Sequence, residues 1–280
     1  MNSTAPQQPD TGSTSDASQA MVRLAVAITT KDSIRTLPRV LASVEDLAER
    51  IIVVDSGSTD GTLEFARDFG CIVIERPWPG PLKQKEFAIA QAVPARWVLL
   101  LDSDESLEDD LRESVRKAIL DDDPKYDGWA FNRKVWFLGG WLHHMYQPEW
   151  RTRLFRAEKS HLEGKAGLYH DRVVVTGRVG KLAGICRHDM YADLRDMFMR
   201  HLRYAERTFG REHRGGTPRA ILLAPLEVFY RHGIRQRAFL DGKRGWLAMA
   251  AALAAKLMKH TYQCYQRLHP PGEDYENPCV

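Results

Sequence analysis

Four short apolar runs, Leu24–Ile28, Ile51–Val54, Cys71–Ile74 and Trp97–Leu101, alternate with stretches whose apolar residues recur every three or four positions. The runs lack the polar alternation of a half-exposed strand, so each reads as a strand covered on both faces. Leu37, Val40, Leu41, Val44 and Leu47 carry helical spacing after the first run. A helix-like stretch ending at Gly70 follows the second, and another around 85–91 follows the third. Leu107, Leu111, Val115 and Ile119 mark a helix behind the fourth, with Ser106 and Asp109 as its capping box. Strand alternating with helix predicts an α/β fold with a mostly parallel sheet and right-handed crossovers.

The texture changes after Pro124. Residues 126–180 hold short β-like pieces, many aromatics and several glycines, and the chain reads as helical from about Leu194, with breaks at Gly215-Gly216, Pro218 and Gly233. At 280 residues the chain accommodates one large domain with an appended part. The expected division is a domain over 22–193, with halves 22–124 and 125–193, then a helical extension over 194–269. Tails at 1–21 and 270–280 flank them, the first rich in Ser, Thr, Gln and Pro and expected to be disordered. The richest apolar segment, Gly245–Met258, is interrupted by Lys256 and falls short of the roughly 20 residues that span a bilayer.

Composition narrows the setting. Four cysteines without a Cys-x-x-Cys pair give neither a disulfide framework nor a zinc knuckle, which favours a reducing compartment. Net charge is only +3, yet residues 195–269 carry 15 Lys/Arg against 5 Asp/Glu. That block suits an anionic surface, or else arginines on solvated helix faces. Beyond charge it has no nucleic-acid-binding signature, so no nucleic-acid partner is expected.

In open parallel sheets, ligands bind beyond the carboxyl ends of the strands. Three such ends carry polar clusters here: Thr29-Thr-Lys-Asp32, Asp55-Ser-Gly-Ser-Thr-Asp60-Gly61 and Asp102-Ser-Asp104-Glu105. Asp102 and Asp104 stand one residue apart at a buried strand end, a pair of oxygen donors suited to Mg²⁺ or Mn²⁺. Asp104 is expected to be the direct ligand, and Asp102 to support it or reach a ribose hydroxyl. The plainer alternative is that these acids favour a helix N-terminus. Asp55 is placed to accept hydrogen bonds from a base or ribose, the alternative being a Gly-containing turn with Asp60 as an N-cap. No Gly-x-Gly-x-x-Gly and no phosphate-binding P-loop is present.

Thr29-Thr-Lys-Asp32, Val53-Val-Asp-Ser-Gly-Ser-Thr-Asp-Gly-Thr62, Gln84-Lys-Glu-Phe-Ala88 and Leu101-Asp-Ser-Asp-Glu105 resemble the successive motifs of family 2 glycosyltransferases with the Rossmann-like GT-A fold. Phe137-Leu-Gly-Gly-Trp141, Arg153-Leu-Phe-Arg156, Tyr169-His-Asp-Arg172 and Phe239-Leu-Asp-Gly242 are similar to the lipopolysaccharide-core glucosyltransferase branch. The likeness runs over roughly 22–260. It implies inverting transfer of a sugar from a UDP-sugar, such as UDP-glucose, to a hydroxyl of a cell-envelope glycolipid or saccharide.

Carried over by position, Thr29, Asp32 and Asp55 would line the nucleotide pocket, and Lys85 would approach it or the diphosphate. Asp102 and Asp104 would form the metal-diphosphate motif. Lys85, Arg151 and Arg153 are candidates to stabilise the departing diphosphate, unless the arginines form surface ion pairs. Inversion needs a base for the acceptor proton. Asp171 stands where relatives place a His-Glu pair, one methylene shorter, with an ion pair to Arg172 as the alternative. Glu149 is the second candidate base, and His170 would orient a base or serve as one.

Trp129, Trp136, Trp141 and Trp150 form either a sugar-stacking wall or core. In the extension, Arg231, Arg235, Arg237, Lys243 and Arg244 lie beside Ile221–Leu223, Phe229 and Tyr230. This combination points to peripheral contact with the inner face of the cytoplasmic membrane, the alternative being a helical cap or a dimer surface. Transfer onto a polyprenyl-phosphate carrier and a non-catalytic nucleotide-sugar-binding protein remain open as other functions.

Overall fold

The computed structural model describes residues 22–164, 171–208 and 217–268. The expected tails, Gly215-Gly216, Tyr169 and His170 lie outside the described residues. In chain order the first part is β1 (Val22–Thr30), α1 (Leu37–Ala42), β2 (Arg50–Asp55), α2 (Thr62–Asp68), β3 (Ile72–Glu75), α3 (Pro81–Ala92) and β4 (Ala95–Asp102). The strands β3, β2, β1 and β4 lie side by side and parallel. Residues along them alternate between two cores. Leu24, Val26, Ile28, Val53, Leu99 and Leu101 face Leu37, Val40 and Leu41 of α1. Ala25, Ala27, Ile52, Val54, Val98 and Leu100 face Ala88 and Ala92 of α3. Burial on both sides is why these strands read as uninterrupted apolar runs.

The second part comprises β5 (Glu105–Leu107), α4 (Asp109–Asp121), β6 (Gly128–Phe137), β7 (Gly140–Trp141), β8 (Trp150–Phe155), β9 (Ser160–Glu163), β10 (Arg172–Val175) and β11 (Val179–His188). Antiparallel β8 joins β4 to β6, β11 runs parallel to β6, and β5 closes the far edge antiparallel to β11. The full order is β3-β2-β1-β4-β8-β6-β11-β5, with β7 paired to β6. β9 and β10 form a separate two-stranded sheet.

One local expectation fails. Ser106 does not cap α4: it lies in β5, opposite Arg187 of β11, and the helix starts at Asp109 after a Glu108 cap without a side-chain bond. The edge of β11 offers backbone partners to 105–107, and these outcompete a helical cap. β11 also carries a register shift between Lys181 and Ile185. Gly184 sits there at φ +92°, where an added Cβ would stand 2.3 Å from the Leu111 backbone nitrogen of α4.

The extension consists of α5 (Leu194–Thr208), α6 (Pro218–Val228) and α7 (Gly242–Leu268), with a π-helical turn over Phe229–Arg235 and a 3₁₀ turn over Ala238–Asp241. Pro218 opens α6, and Gly233 lies in the π turn rather than at a chain break. Met197, Ala238, Ala248, Met249 and Ala251 pack on Val135, Phe137, Leu142 and Met145 in a third core. Asp241 fastens this contact. Its carboxylate accepts from the backbone N–H groups of His143 (2.7 Å), His144 (3.1 Å) and Met145 (2.9 Å). These bonds outweigh the effect of burial and hold its pKa below the usual carboxylate value.

Gly184→Ala should lower stability by about 3 kcal/mol, because both the positive φ and the contact with α4 must give way. Urea denaturation checks this, and an unchanged midpoint would mean that β11 can slide past α4.

Candidate active site

The strand register brings the three polar tips to one edge. Thr29 lies opposite Val54 on one side and Asp102 on the other, and Thr30 lies opposite Asp55. The loops after β1 and β2 are laced together. The Asp32 N–H donates to Ser58 Oγ (2.7 Å), and Asp32 Oδ1 accepts from the Thr59 N–H (2.8 Å). Asp60 accepts from the N–H groups of Ile34 and Thr62, both at 3.1 Å, and so bridges the two loops just ahead of α2. Ser33 and Ser103 share a hydroxyl hydrogen bond of 2.8 Å, which ties the first tip to the third.

Asp55 is fully buried, and its carboxylate is engaged within its own loop. Oδ1 accepts from the N–H groups of Gly57 (2.7 Å) and Ser58 (2.8 Å), and Oδ2 accepts from the Ser58 hydroxyl. It therefore shapes the turn beside which Thr29 is half-buried and Asp32 is exposed.

Beyond this turn runs a chain of eight charges of strictly alternating sign. Lys85 Nζ lies 2.9 Å from Asp171 Oδ2 and 2.7 Å from Asp102 Oδ1. Arg153 Nη2 donates to Asp102 Oδ2 (2.9 Å) and to Glu105 Oε1 (2.7 Å). Arg133 reaches the same Glu105 oxygen at 2.8 Å and forks onto Glu149, with contacts of 2.7 and 3.1 Å. Arg151 ends the chain at 2.7 Å from Glu149 Oε1.

Lys85 and Arg153 are buried and Glu105 is completely so. Isolated charges at these positions would be costly, and mutual pairing is what retains them. Burial alone would push the Asp102 and Glu149 carboxyls up. Lys85 and Arg153 instead hold Asp102 well below the usual carboxylate range, and Arg133 and Arg151 draw Glu149 down to about 2. Lys85 moves the other way. Burial disfavours its charge, but Asp102 and Asp171 raise its pKa above the ordinary lysine value.

These contacts bear on several of the expected roles. Asp102 has both oxygens in ion pairs, so a metal there would have to compete with Lys85 and Arg153. Glu149 is a poor general base, held by two guanidinium groups at an acidity far from neutral. Arg153 is part of the buried ladder rather than a surface ion pair, whereas Arg151 is partly exposed. Asp171 pairs with Lys85, and Arg172 pairs with Glu163 instead.

Asp104 stands apart from the ladder and faces His188, with 3.6 Å between Oδ2 and Nε2. Burial raises the Asp104 pKa, and the adjacent His188 brings it below the ordinary value. His188 is buried at the end of β11, and its Nδ1 has no partner among the described residues. A carboxylate oxygen beside an imidazole nitrogen is a donor set that a divalent cation accepts, with phosphate and water completing the shell. Among the described residues, no group of three or more His, Cys, Asp or Glu side chains is arranged to hold a metal. Sequence spacing assigns no role to Glu105, Arg133 or His188. Glu105 adjoins the Asp-x-Asp pair, but Arg133 and His188 arrive from distant strands.

The four tryptophans divide. Trp129 packs against the first core and stacks on Tyr126, with ring centroids 4.3 Å apart. Trp136 and Trp141 meet edge to face at 5.0 Å, with the Arg187 guanidinium 3.9 Å over Trp136. Trp150 is exposed beneath Lys181.

Residues 25–188 match the model of Glycosyl transferase family 2. An uncharacterized glycosyltransferase of Rickettsia prowazekii is 29% identical over 60% of this chain and 60% of its own. The chain thus spans about 60% of that relative's length. The lipopolysaccharide core biosynthesis glycosyltransferase LpsC of Rhizobium meliloti is 28% identical over 82% of this chain and 87% of its own. Among solved structures, S. aureus TarS 1-349 aligns with a TM-score of 0.46 at 15% identity, over 88% of this chain and 91% of that one.

Two outcomes follow from the ladder. Glu105→Gln leaves Arg133 and Arg153 around a neutral amide and should cost about 3–5 kcal/mol in a denaturation experiment. The depressed pKa of Glu149 makes its contribution to stability fully present above its unfolded value of 4.5, and it is lost as pH falls through about 2. A Glu149→Gln variant should therefore show a shallower loss of melting temperature across that window than the parent chain.

Proposed function

Since this chain belongs to glycosyl transferase family 2, we propose that it moves a sugar, with inversion, from a UDP-sugar such as UDP-glucose to a hydroxyl of a cell-envelope glycolipid of the lipopolysaccharide-core type. The observation that carries this reading is the convergence of Thr29, the Asp55 turn, Lys85, Asp102 and Asp104 at one sheet edge, beside the cationic groups of the ladder. Likeness to LpsC over most of the chain supports the acceptor class. The loops after β1 and β2 are proposed to hold the base and ribose.

Asp104 and His188 would hold a divalent cation, Mg²⁺ or Mn²⁺, which when bound would offset negative charge on the departing diphosphate. Lys85 supplies the protein's own share. Its ammonium is already aimed at the sheet edge by Asp102, so it needs little reorganisation when the anion forms. Arg153 keeps Asp102 in place from the opposite side.

Asp171 is the proposed base. Its carboxylate now rests on Lys85, and a diphosphate arriving there would compete for the same ammonium and free Asp171 to accept the acceptor proton. His170 would orient that base. Arg151, at the exposed end of the ladder, would meet the acceptor rather than the leaving group.

The test is a panel of nucleotide sugars with and without Mg²⁺ or Mn²⁺, followed by calorimetry and UDP release. Asp171→Asn should keep donor binding and lose about 10²- to 10⁴-fold in turnover. Asp104→Ala should abolish the metal dependence of donor binding with the fold intact. Undiminished metal-dependent turnover in Asp104→Ala would remove Asp104 from the metal site, and donor-independent behaviour of the parent chain would remove the whole reading.

A further inference from the structure

The described part of the extension presents an apolar stripe with no partner. On α6, Leu222 is 72% and Leu226 64% exposed, one helical turn apart, and Ala224 faces the interior. Tyr230 and Ile234, each 56% exposed, follow at the same four-residue spacing, and Leu240 in the next turn is 52% exposed. Scattered surface leucines need no explanation, but a contiguous run of large ones marks a contact surface.

Its charge is one-sided. Arg231, Arg235, Arg237 and Lys243 are interleaved with these residues in sequence or follow them directly, and all are exposed. Between 217 and 247 the only acids are Glu227, which pairs with Arg231 at 3.5 Å, and Asp241, which is turned inward onto the 143–145 amides. Arg235, Arg237 and Lys243 make no ion pair among the described residues. No described helix is long and apolar enough to cross a membrane.

We propose that this surface docks on an anionic lipid bilayer, with the stripe sunk among the acyl chains near the headgroups and the basic border on the lipid phosphates. Apolar side chains framed by Lys and Arg are the pattern of an interfacial helix. A second copy of the chain would instead juxtapose two like-charged borders, which disfavours a dimer across this face.

The same segment grips the transferase core. Gln236 accepts from the Tyr146 N–H (3.1 Å), Asp241 holds 143–145, and Arg244 donates to the backbone oxygens of Leu138 and Gly139, each at 3.2 Å. Gly140 leaves room for that arginine: an added Cβ would lie 2.5 Å from the Arg244 guanidinium. Docking therefore fixes the orientation of the acceptor half relative to the bilayer. This orienting role deepens, and rests on, the glycolipid-acceptor reading; the docking itself does not require it.

Co-sedimentation of the full chain with phosphatidylglycerol-containing vesicles tests the proposal. Binding should be strong at low salt, weaken at high salt, and be at least about tenfold weaker on pure phosphatidylcholine. Arg231→Ser/Arg235→Ser should reduce partitioning about 25-fold. Leu222→Ser/Leu226→Ser should reduce it by at least as much, and both exposed pairs should leave circular dichroism and melting unchanged.

Equal binding to neutral and anionic vesicles, or unchanged partitioning in both variants, would overturn the proposal. So would a dimer of the parent chain that Leu222→Ser/Leu226→Ser dissociates. Nucleotide-sugar binding measured without vesicles separates the two readings: its loss with vesicle binding intact counts against the transferase assignment alone, and the reverse counts against docking alone.

Discussion

The alternating ladder from Asp171 through Lys85, Asp102, Arg153, Glu105, Arg133 and Glu149 to Arg151 is the constraint around which the candidate site is organised. Its members come from α3, β4, β5, β6, β8 and the segments before β8 and β10, so the ladder cannot form until parallel and antiparallel parts of the sheet have met. Pairing is obligatory because Glu105, Lys85 and Arg153 have almost no contact with solvent. Such a network adds little net stability over an apolar core, but it penalises any arrangement that leaves one member alone.

The ladder also explains why two aspartates one residue apart diverge in role. Asp102 points its oxygens at Lys85 and Arg153, whereas Asp104 lies beside His188. Environment separates them as effectively as a change of residue type would. In the proposed reaction, a nucleotide diphosphate would meet fixed cations on one side and the Asp104–His188 pair on the other.

The half over 22–124 was legible because its strands are buried on both faces and therefore write continuous apolar runs. Thr29, Asp55 and Asp102 could be assigned to one edge from strand ends alone. The rest depended on long-range pairing. Nothing near Arg133 or His188 signals that β6 and β11 return to the same group of side chains, and antiparallel β8 has no helix before it to announce the change of direction. Ser106 misled for the same reason, since the backbone partners it found on β11 lie some 80 residues away. The tryptophans were readable as a group but not individually. Trp129 turned to the core and Trp150 to the surface according to the register of strands that sequence spacing does not reveal.

The strand order has a consequence at its two borders. β3 at one end has four residues and β5 at the other has three. Each border thus offers only a few unpaired amides as a template for a foreign strand. A sheet of this breadth, built around apolar central strands, would otherwise invite edge-to-edge polymerisation, and its abbreviated margins keep concentrated molecules from stitching together.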